Sequence, residues 1–432
     1  MAEMRVSVAS GTGLMREMTV DLPSEELAHE VDKRLQDYAR TARIPGFRPG
    51  KVPLGVLRKR YEGALRDEVL QEMVQSSLAQ AIAQERLQPA GRPELEFYLD
   101  PAAGRYSYKA RFEVLPHIEL QNIADVTIKR PVATITPEDI DAMIERLRRQ
   151  YGTWQETSER EARIGDRVKV ALEGRVDGEP LSGDKTEITI ELGAGRLIAG
   201  FDDHLVGARV GEERQFDLRF PENYRDQNLA GREAHFSVRL NQIFALSLPE
   251  VNAEFIAYFG IADGDMARFR DELEKTMARE LTNRITARIK TQVFDALLAA
   301  NPIELPCTLV EAEKQLLKKQ NPLADQERWG FSEAFFDQLS RHRVALNLLI
   351  EEASKRYELR VSETAVRAKV EELAANYENP QQFVTHYLSD KGKRAQIEWS
   401  VMEDLLVQRL LEHAHLVDEP SSFDELIMAS SN

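Results

Sequence analysis

The sequence predicts a multidomain α+β protein, with a small α+β domain at the N-terminus, a sheet-rich domain in the middle and an extended all-α body with arms behind it. Three observations carry this. Residues near 18–22 and 106–114 alternate apolar with polar, as half-buried strands do, and they flank two helical stretches. The stretch 163–244 is rich in glycine and in the same alternation. Phe269, Leu273, Met277, Leu281, Ile285, Ile289, Val293 and Leu297 recur every fourth residue, so their stripe winds slowly around one long helix.

Composition sets the outer bounds. A length of 432 fits about three domains, and a net charge of −16 argues against indiscriminate binding to nucleic acid. The single cysteine, Cys307, excludes an internal disulfide and suits a reducing compartment; it reads as a small core or helix residue. Met1-Ala-Glu-Met-Arg5 has no apolar core of a signal peptide, and no apolar run approaches membrane-spanning length. The expectation is a cytoplasmic protein with no membrane partner.

In chain order, Met18, Val20 and Leu22 form one strand face. Ser24 then caps a helix carrying Leu27, Val31 and Leu35 at four-residue spacing. After Pro53 a second helix presents Val56, Leu57, Tyr61, Leu65, Val69, Met73 and Ile82 on one broad face. Residues 89–93 turn, and Tyr106, Tyr108, Ala110, Phe112 and Val114 alternate as the next strand, closing a domain over 1–115.

Between those helices lies Arg43-Ile-Pro-Gly-Phe-Arg-Pro-Gly-Lys-Val-Pro53. Pro45, Pro49 and Pro53 lack an amide hydrogen and extend the residue before each, so no helix runs through. Gly46 and Gly50 let the backbone turn or approach a partner closely. From Tyr38 to Tyr61 there is no acidic residue, while Arg40, Arg43, Arg48, Lys51, Arg58, Lys59 and Arg60 all fall inside. On so acidic a chain this reads as a cationic tip that docks on an anionic partner, with Phe47 as an apolar anchor. From charge alone, a solvated basic connection is an equal reading. A nucleotide-type phosphate loop fits poorly, because no apolar strand precedes the glycines and no Gly-Lys-Ser/Thr follows.

The run Gly46-Phe47-Arg48-Pro49-Gly50-Lys51 is similar to the ribosome-docking signature Gly-Phe-Arg-x-Gly-Lys of the bacterial trigger factors, chaperones that meet nascent chains at the exit tunnel. The resemblance extends over essentially the whole chain. It implies that Phe47, Arg48 and Lys51, in a loop with Arg43 and Pro49, touch ribosomal RNA and a tunnel-exit ribosomal protein, with Gly46 and Gly50 shaping the loop.

A connector over 116–160 follows, with Thr136 as a cap, Pro137 at the first helical position and a stripe of Ile140, Met143, Ile144, Leu147 and Tyr151. In the domain over 161–246, Val168, Val170 and Leu172 alternate, Asp177-Gly178 signals a hairpin, and Ile188, Ile190 and Leu192 alternate again. A short helix precedes Gly207; Phe216, Leu218 and Phe220, then Phe236, Val238 and Leu240, form further strands. This pattern resembles FKBP-type prolyl isomerases, a bent antiparallel sheet around one helix. Its most specific matches are Leu-Gly-x-Gly-x-x-Ile-x-Gly-Phe at 192–201 and Val210-Gly-Glu212.

Prolyl isomerisation needs neither nucleophile nor metal. Its barrier, roughly 18–20 kcal/mol, is loss of amide resonance, and a dry pocket lowers it by stripping water from an amide whose dipole shrinks on twisting. The resemblance places that lining at Leu172, Leu181, Ile188, Leu197, Ile198, Phe201, Tyr224 and Phe236. Leu172, Leu181 and Ile188 stand where the family usually has rings, and Ser182 where it has an acid, so the expected activity is weak but measurable.

The body over 247–432 is read as helices at about 307–320, 333–356 capped by Ser332, 363–377 capped by Ser362, and 393–414, with a frayed tail from Asp418. Trp154, Trp329 and Trp399 are expected in cores or domain junctions. His413 and His415, two apart, do not share a helix face and read as surface residues; no metal and no other cofactor is expected. The resemblance implies an ATP-independent chaperone that shields nascent or unfolded chains, and it leaves a homodimer of the free protein open. The rivals are a free isomerase with an incidental basic loop and an assembly factor for folded subunits.

Overall fold

The computed structural model describes residues 5–41, 47, 52–100, 105–121, 126–181, 186–222, 224, 228–320, 332–375, 377 and 379–428. They fall into two compact units, 1–128 with 290–416 and 129–289 with 417–432.

The first unit opens with strands β1 (Arg5–Ser10) and β2 (Met15–Leu22), helices α1 (Ser24–Thr41) and α2 (Leu54–Gln84), and strands β3 (Glu94–Asp100) and β4 (Arg105–Glu113). The sheet order is β1-β2-β4-β3, all antiparallel. Period-two alternation sends Met18, Val20, Tyr108 and Ala110 to one face, where they are fully buried with Leu27, Val31 and Leu35 of α1 and Leu57 and Val69 of α2. The Tyr108 hydroxyl finds Ser77 at 2.9 Å inside that core, so the ring is buried without stranding its oxygen. Val56, expected on the apolar face of α2, is exposed; the helix turns Leu57 inward instead.

The second unit holds most of β5 (Thr127–Val132), then α3 (Pro137–Gln150), β6 (Thr153–Thr157), β7 (Arg167–Val176), β8 (Glu179–Pro180), β9 (Thr186–Glu191), α4 (Phe201–Leu205), β10 (Glu213–Arg219), β11 (Glu233–Ser247) and α5 (Ala253–Ala257). Thr136 and Asp139 form the capping box that starts α3, with Pro137 inside it as expected. The sheet runs β10-β11-β7-β8, with β6 added to β11 and β9 to β7. A register shift between Leu240 and Gln242 lets the long strand β11 serve several partners. Its core gathers Val168, Val170, Phe201, Phe216, Phe220, Phe236 and Val238.

Helix α6 (Met266–Ala300) carries the four-residue stripe. Phe269, Met277 and Leu281 pack with Ile140, Ile144 and Phe255 in the second unit. In the first unit come α7 (Cys307–Gln320), α8 (Glu333–Arg356), α9 (Glu363–Ala374), α10 (Pro380–Ser389) and α11 (Lys391–Leu411). Ser332 and Ser362 cap α8 and α9 as the sequence predicts, and Asp390 caps α11 through Gly392 and Lys393. Helix α9 stops at Ala374 rather than 377, and α10, opened by Pro380, was not anticipated.

The tail departs most from expectation. Instead of fraying at Asp418, the chain forms β12 (His415–Pro420), which pairs with β5, and α12 (Phe423–Met428). Arg130 holds Asp418 with two hydrogen bonds of 2.7 and 3.0 Å, and Phe423 is buried among Ile140, Phe255 and Phe269. Trp399 is exposed, not a core residue; Trp154 is half-buried under the Arg167 guanidinium, 4.1 Å from the ring centre; Trp329 lies outside the described residues. Cys307 begins a helix but is exposed. Among the described residues no helix is long and apolar enough to cross a membrane.

Candidate functional site

Two places answer to the sequence's site residues. The first is the connection between α1 and α2. Tyr38 and Tyr61 bring their rings to 4.9 Å where the helices converge, and Val52 is buried just before Pro53 starts α2 from an extended backbone. Between these anchors Phe47 is 40 % exposed, an apolar ring held outside the core. The acid-free window is acid-free only along the chain: Asp32 pairs with Arg58 across the helices, and Asp37 sits 3.4 Å from Arg40. Two of the cations at the base of the connection are thereby paired, and Arg60 lies over the Tyr61 ring, 5.8 Å from its centre. Arg43, Gly46, Arg48, Pro49, Gly50 and Lys51 lie outside the described residues.

The second place is the ring cluster of the sheet domain. Gly200, at φ +86°, starts α4 from a left-handed backbone, and this drives Phe201 into the sheet. The Phe201 ring stands edge-on to Phe216 at 5.2 Å and to Phe236 at 5.5 Å; Phe220 lies 6.4 Å from Phe236 and 4.6 Å from Tyr224. These are favourable edge and tilted geometries, so the cluster is a rigid apolar floor. Leu172, Leu181, Ile188, Leu197 and Ile198 pack against it while keeping part of their surface exposed. Tyr224 is 37 % exposed and stands at the rim. Gly174 makes the close approach possible, since a Cβ there would come within 2.7 Å of Leu181 and 3.0 Å of Phe236.

The structure thus brings together all eight lining residues the sequence named. It adds Phe216 and Phe220, read in the sequence only as strand residues; their four-residue separation on an alternating strand, one face with Leu218 between, was the available signal. Ser182 lies outside the described residues. The floor itself is built of hydrocarbon: the nearby polar pair, His235 with Asp217 at 2.6 Å, is exposed, and His204 stacks on Phe216 at 4.4 Å. A hydrocarbon surface of this kind suits desolvation of an amide rather than proton transfer.

Just outside, Asp166 is 5 % exposed and receives two hydrogen bonds from Arg160, at 2.6 and 2.7 Å, and one from the Arg163 amide at 2.8 Å. Burial pushes its carboxyl upward, but these donors outweigh it and hold Asp166 below the ordinary aspartate range. This fork fastens the segment entering β7, the strand that supplies Leu172 and Gly174.

The helices of the first unit present a third kind of surface. Tyr377, Phe383 and Tyr387 stack in a ladder with ring centres 4.3 Å apart at each step, and Tyr377 is 56 % exposed. A cavity of about 720 Å³ is lined by Leu115, Leu309, Leu316, Leu348 and Trp399 among others. No group of histidine, cysteine, aspartate and glutamate that could hold a metal ion occurs among the described residues.

Comparison with known proteins matches three stretches of the chain to known families. Residues 4–147 match the family described as bacterial trigger factor protein, residues 265–412 that family's C-terminus, and residues 158–241 the FKBP-type peptidyl-prolyl cis-trans isomerases. The trigger factor of Azotobacter vinelandii is 40 % identical over 432 residues, covering 98 % of each chain. That of Stutzerimonas stutzeri is 40 % identical over 431 residues at the same coverage, and that of Chromohalobacter salexigens 39 % over 437, covering 99 % of this chain and 96 % of its own.

Proposed function

Since this chain belongs to the trigger factor family, we propose that it docks on the ribosome through the α1–α2 connection and receives emerging chains on its helical body. It is a chaperone with an FKBP-type peptidyl-prolyl isomerase domain. Ribosome and nascent-chain binding follow from the family. The finer assignment is ours: Phe47, Arg48 and Lys51 make the contact, with ribosomal RNA and a protein beside the tunnel mouth as its targets, and the work is done in the cytoplasm. The protein divides at about 115, 160 and 246 into docking domain, connector, isomerase domain and helical body.

The exposed Phe47 ring, in the connection between α1 and the buried Val52 that precedes α2, carries this reading. An apolar ring outside the core, in a stretch of sequence whose charged residues Arg43, Arg48 and Lys51 are all cationic, is a combination suited to an anionic, partly apolar partner. Co-sedimentation with ribosomes, before and after Phe47→Ala/Arg48→Ala/Lys51→Ala together, tests it. The expected loss of binding is at least tenfold, each removed anchor or charge contributing on the order of 1 kcal/mol. Unchanged pelleting would sink the assignment.

Isomerisation takes place over the Phe201–Phe236 floor, with Tyr224 at the rim. Aliphatic Leu172, Leu181 and Ile188 keep the pocket dry but give a proline ring less flat surface to stack on, so turnover is slow and measurable. A proline-peptide assay reads this directly; a rate equal to buffer would leave the domain a binding module.

A further inference from the structure

The rows of the N-terminal sheet end unevenly. Across β2, β4 and β3, one row of the core face runs Val20, Tyr108, Phe97, and the next runs Met18, Ala110, Leu95. The first two residues of each row are fully buried, yet Phe97 is 47 % and Leu95 37 % exposed. At the opposite edge, Val6 and Val8 of β1, which pair with Val20 and Met18, still pack against the core. The helices therefore cover the sheet as far as β4 and leave the inner face of β3 about half exposed. Among the described elements only β4 pairs with β3, so the far side of that seven-residue strand carries backbone groups without a ladder partner. Edge strands are usually blunted by lysine, proline or a bulge; Glu94-Leu-Glu-Phe-Tyr-Leu-Asp100 has none of these.

We propose that β3 accepts an extended segment of an unfolded protein as a fifth strand. A row of alternating N–H and C=O groups is satisfied by another extended backbone. Alternate apolar side chains of that segment prolong the rows over Leu95 and Phe97. The outer face selects against a second copy of this chain. There Glu94 and Glu96 stand at the margin, while Lys109 and Arg111, one strand in, are both engaged at 2.9 Å by Glu17. An antiparallel pair of β3 strands would bring these acids of both copies together, which is unfavourable. A segment with lysine or arginine at its outward positions meets them favourably, although Arg111 already approaches Glu96 at 3.9 Å. The incoming strand thus alternates apolar with basic or uncharged residues.

This rests on the chaperone reading for its partner but adds a site and a mode of recognition to it. The test uses the full chain, a short peptide alternating Val or Phe with Lys, and a copy of it N-methylated at every residue, so that neither of its edges can donate to a ladder. Hydrogen–deuterium exchange at Leu95–Leu99 should slow by about tenfold with the first peptide and stay unchanged with the second. Phe97→Lys should weaken the first peptide several-fold while exchange in β4 stays as in the parent, which reports an intact sheet. Binding of the peptide without slowing in β3 overturns the proposal. So does slowing that depends on protein concentration alone, which would mean self-pairing. Failure of the chaperone reading shows separately, as a parent protein that does not suppress aggregation of an unfolded client.

Discussion

The two antiparallel sheets of this protein use burial in opposite ways. The N-terminal sheet buries a mostly aliphatic face under α1 and α2, and the surfaces proposed for its partners, Phe47 and β3, lie outside that core. The sheet of the isomerase domain curls its rings inward, so the surface proposed to act on a substrate is continuous with the core: Phe201 and Phe236 are 2 % and 4 % exposed. A docking tip can change without disturbing the fold beneath it. A pocket whose floor is the core cannot, and its function and its stability are the same packing.

The strongest break in that comparison is Phe201→Ala. It removes the ring that contacts both Phe216 and Phe236 and should cost about 3–5 kcal/mol in the isomerase domain. Isomerase activity should vanish while ribosome co-sedimentation persists; loss of both would mean that the two regions do not fold independently.

Asp166→Ala comes next. It leaves the half-buried Arg160 without its fork and should cost about 3 kcal/mol, seen as earlier urea unfolding of the isomerase domain. The pH dependence has a definite sign. A carboxylate depressed in the folded state contributes stability that is present above its unfolded pKa and lost as pH falls through the folded one. The parent domain should therefore lose stability below about pH 4, and Asp166→Ala should flatten that slope. An unchanged slope would place the acid sensitivity elsewhere.

The smallest effect is expected in the first unit. Glu113, at the end of β4, accepts from the Cys307 and Thr308 amides at 3.0 and 2.7 Å and from the Thr308 hydroxyl at 2.6 Å, capping α7 from another part of the chain. Burial pushes its carboxyl up, but the Thr308 and Cys307 donors prevail and hold it below the usual range. Glu113→Gln keeps the shape and loses the charge, so the helix start should weaken by about 1 kcal/mol. Amide exchange at 307–310 should speed up about fivefold at neutral pH, with the difference closing as pH falls through the carboxyl's range. Equal exchange would show that the cap's charge contributes nothing.

Much of this molecule was legible in the chain because its signals are local. Thr136 and Asp139, Ser332 and Ser362 cap helices through donors two or three residues away, and the Phe269–Leu297 stripe follows from a period that any helix imposes. The eight candidate lining residues were named in another way, through resemblance to a known family and not through spacing; the structure packs seven of them in or against one cluster and sets Tyr224 on Phe220. The strands β1, β3, β5, β6 and β12 were missed, and so was the folded tail. Short segments such as His415–Pro420 carry too little periodicity of their own and become strands only once a partner such as β5 is in place.

By itself, the sequence determined where the helices capped by Thr136, Ser332 and Ser362 begin, most of the face that the first two helices bury, and that a proline- and glycine-ruled cationic loop interrupts those two. Backbone sterics and capping act within a few residues, so no distant partner was needed to decide them. Tertiary structure alone decided that Arg58 answers to Asp32, that Glu113 caps a helix begun at Cys307, and that Phe201, Phe216 and Phe236 meet edge to face. It also decided that Phe97 stays half bare at the end of its row. Burial and pairing depend on which strand lies next to which, and that is settled only when the whole sheet closes.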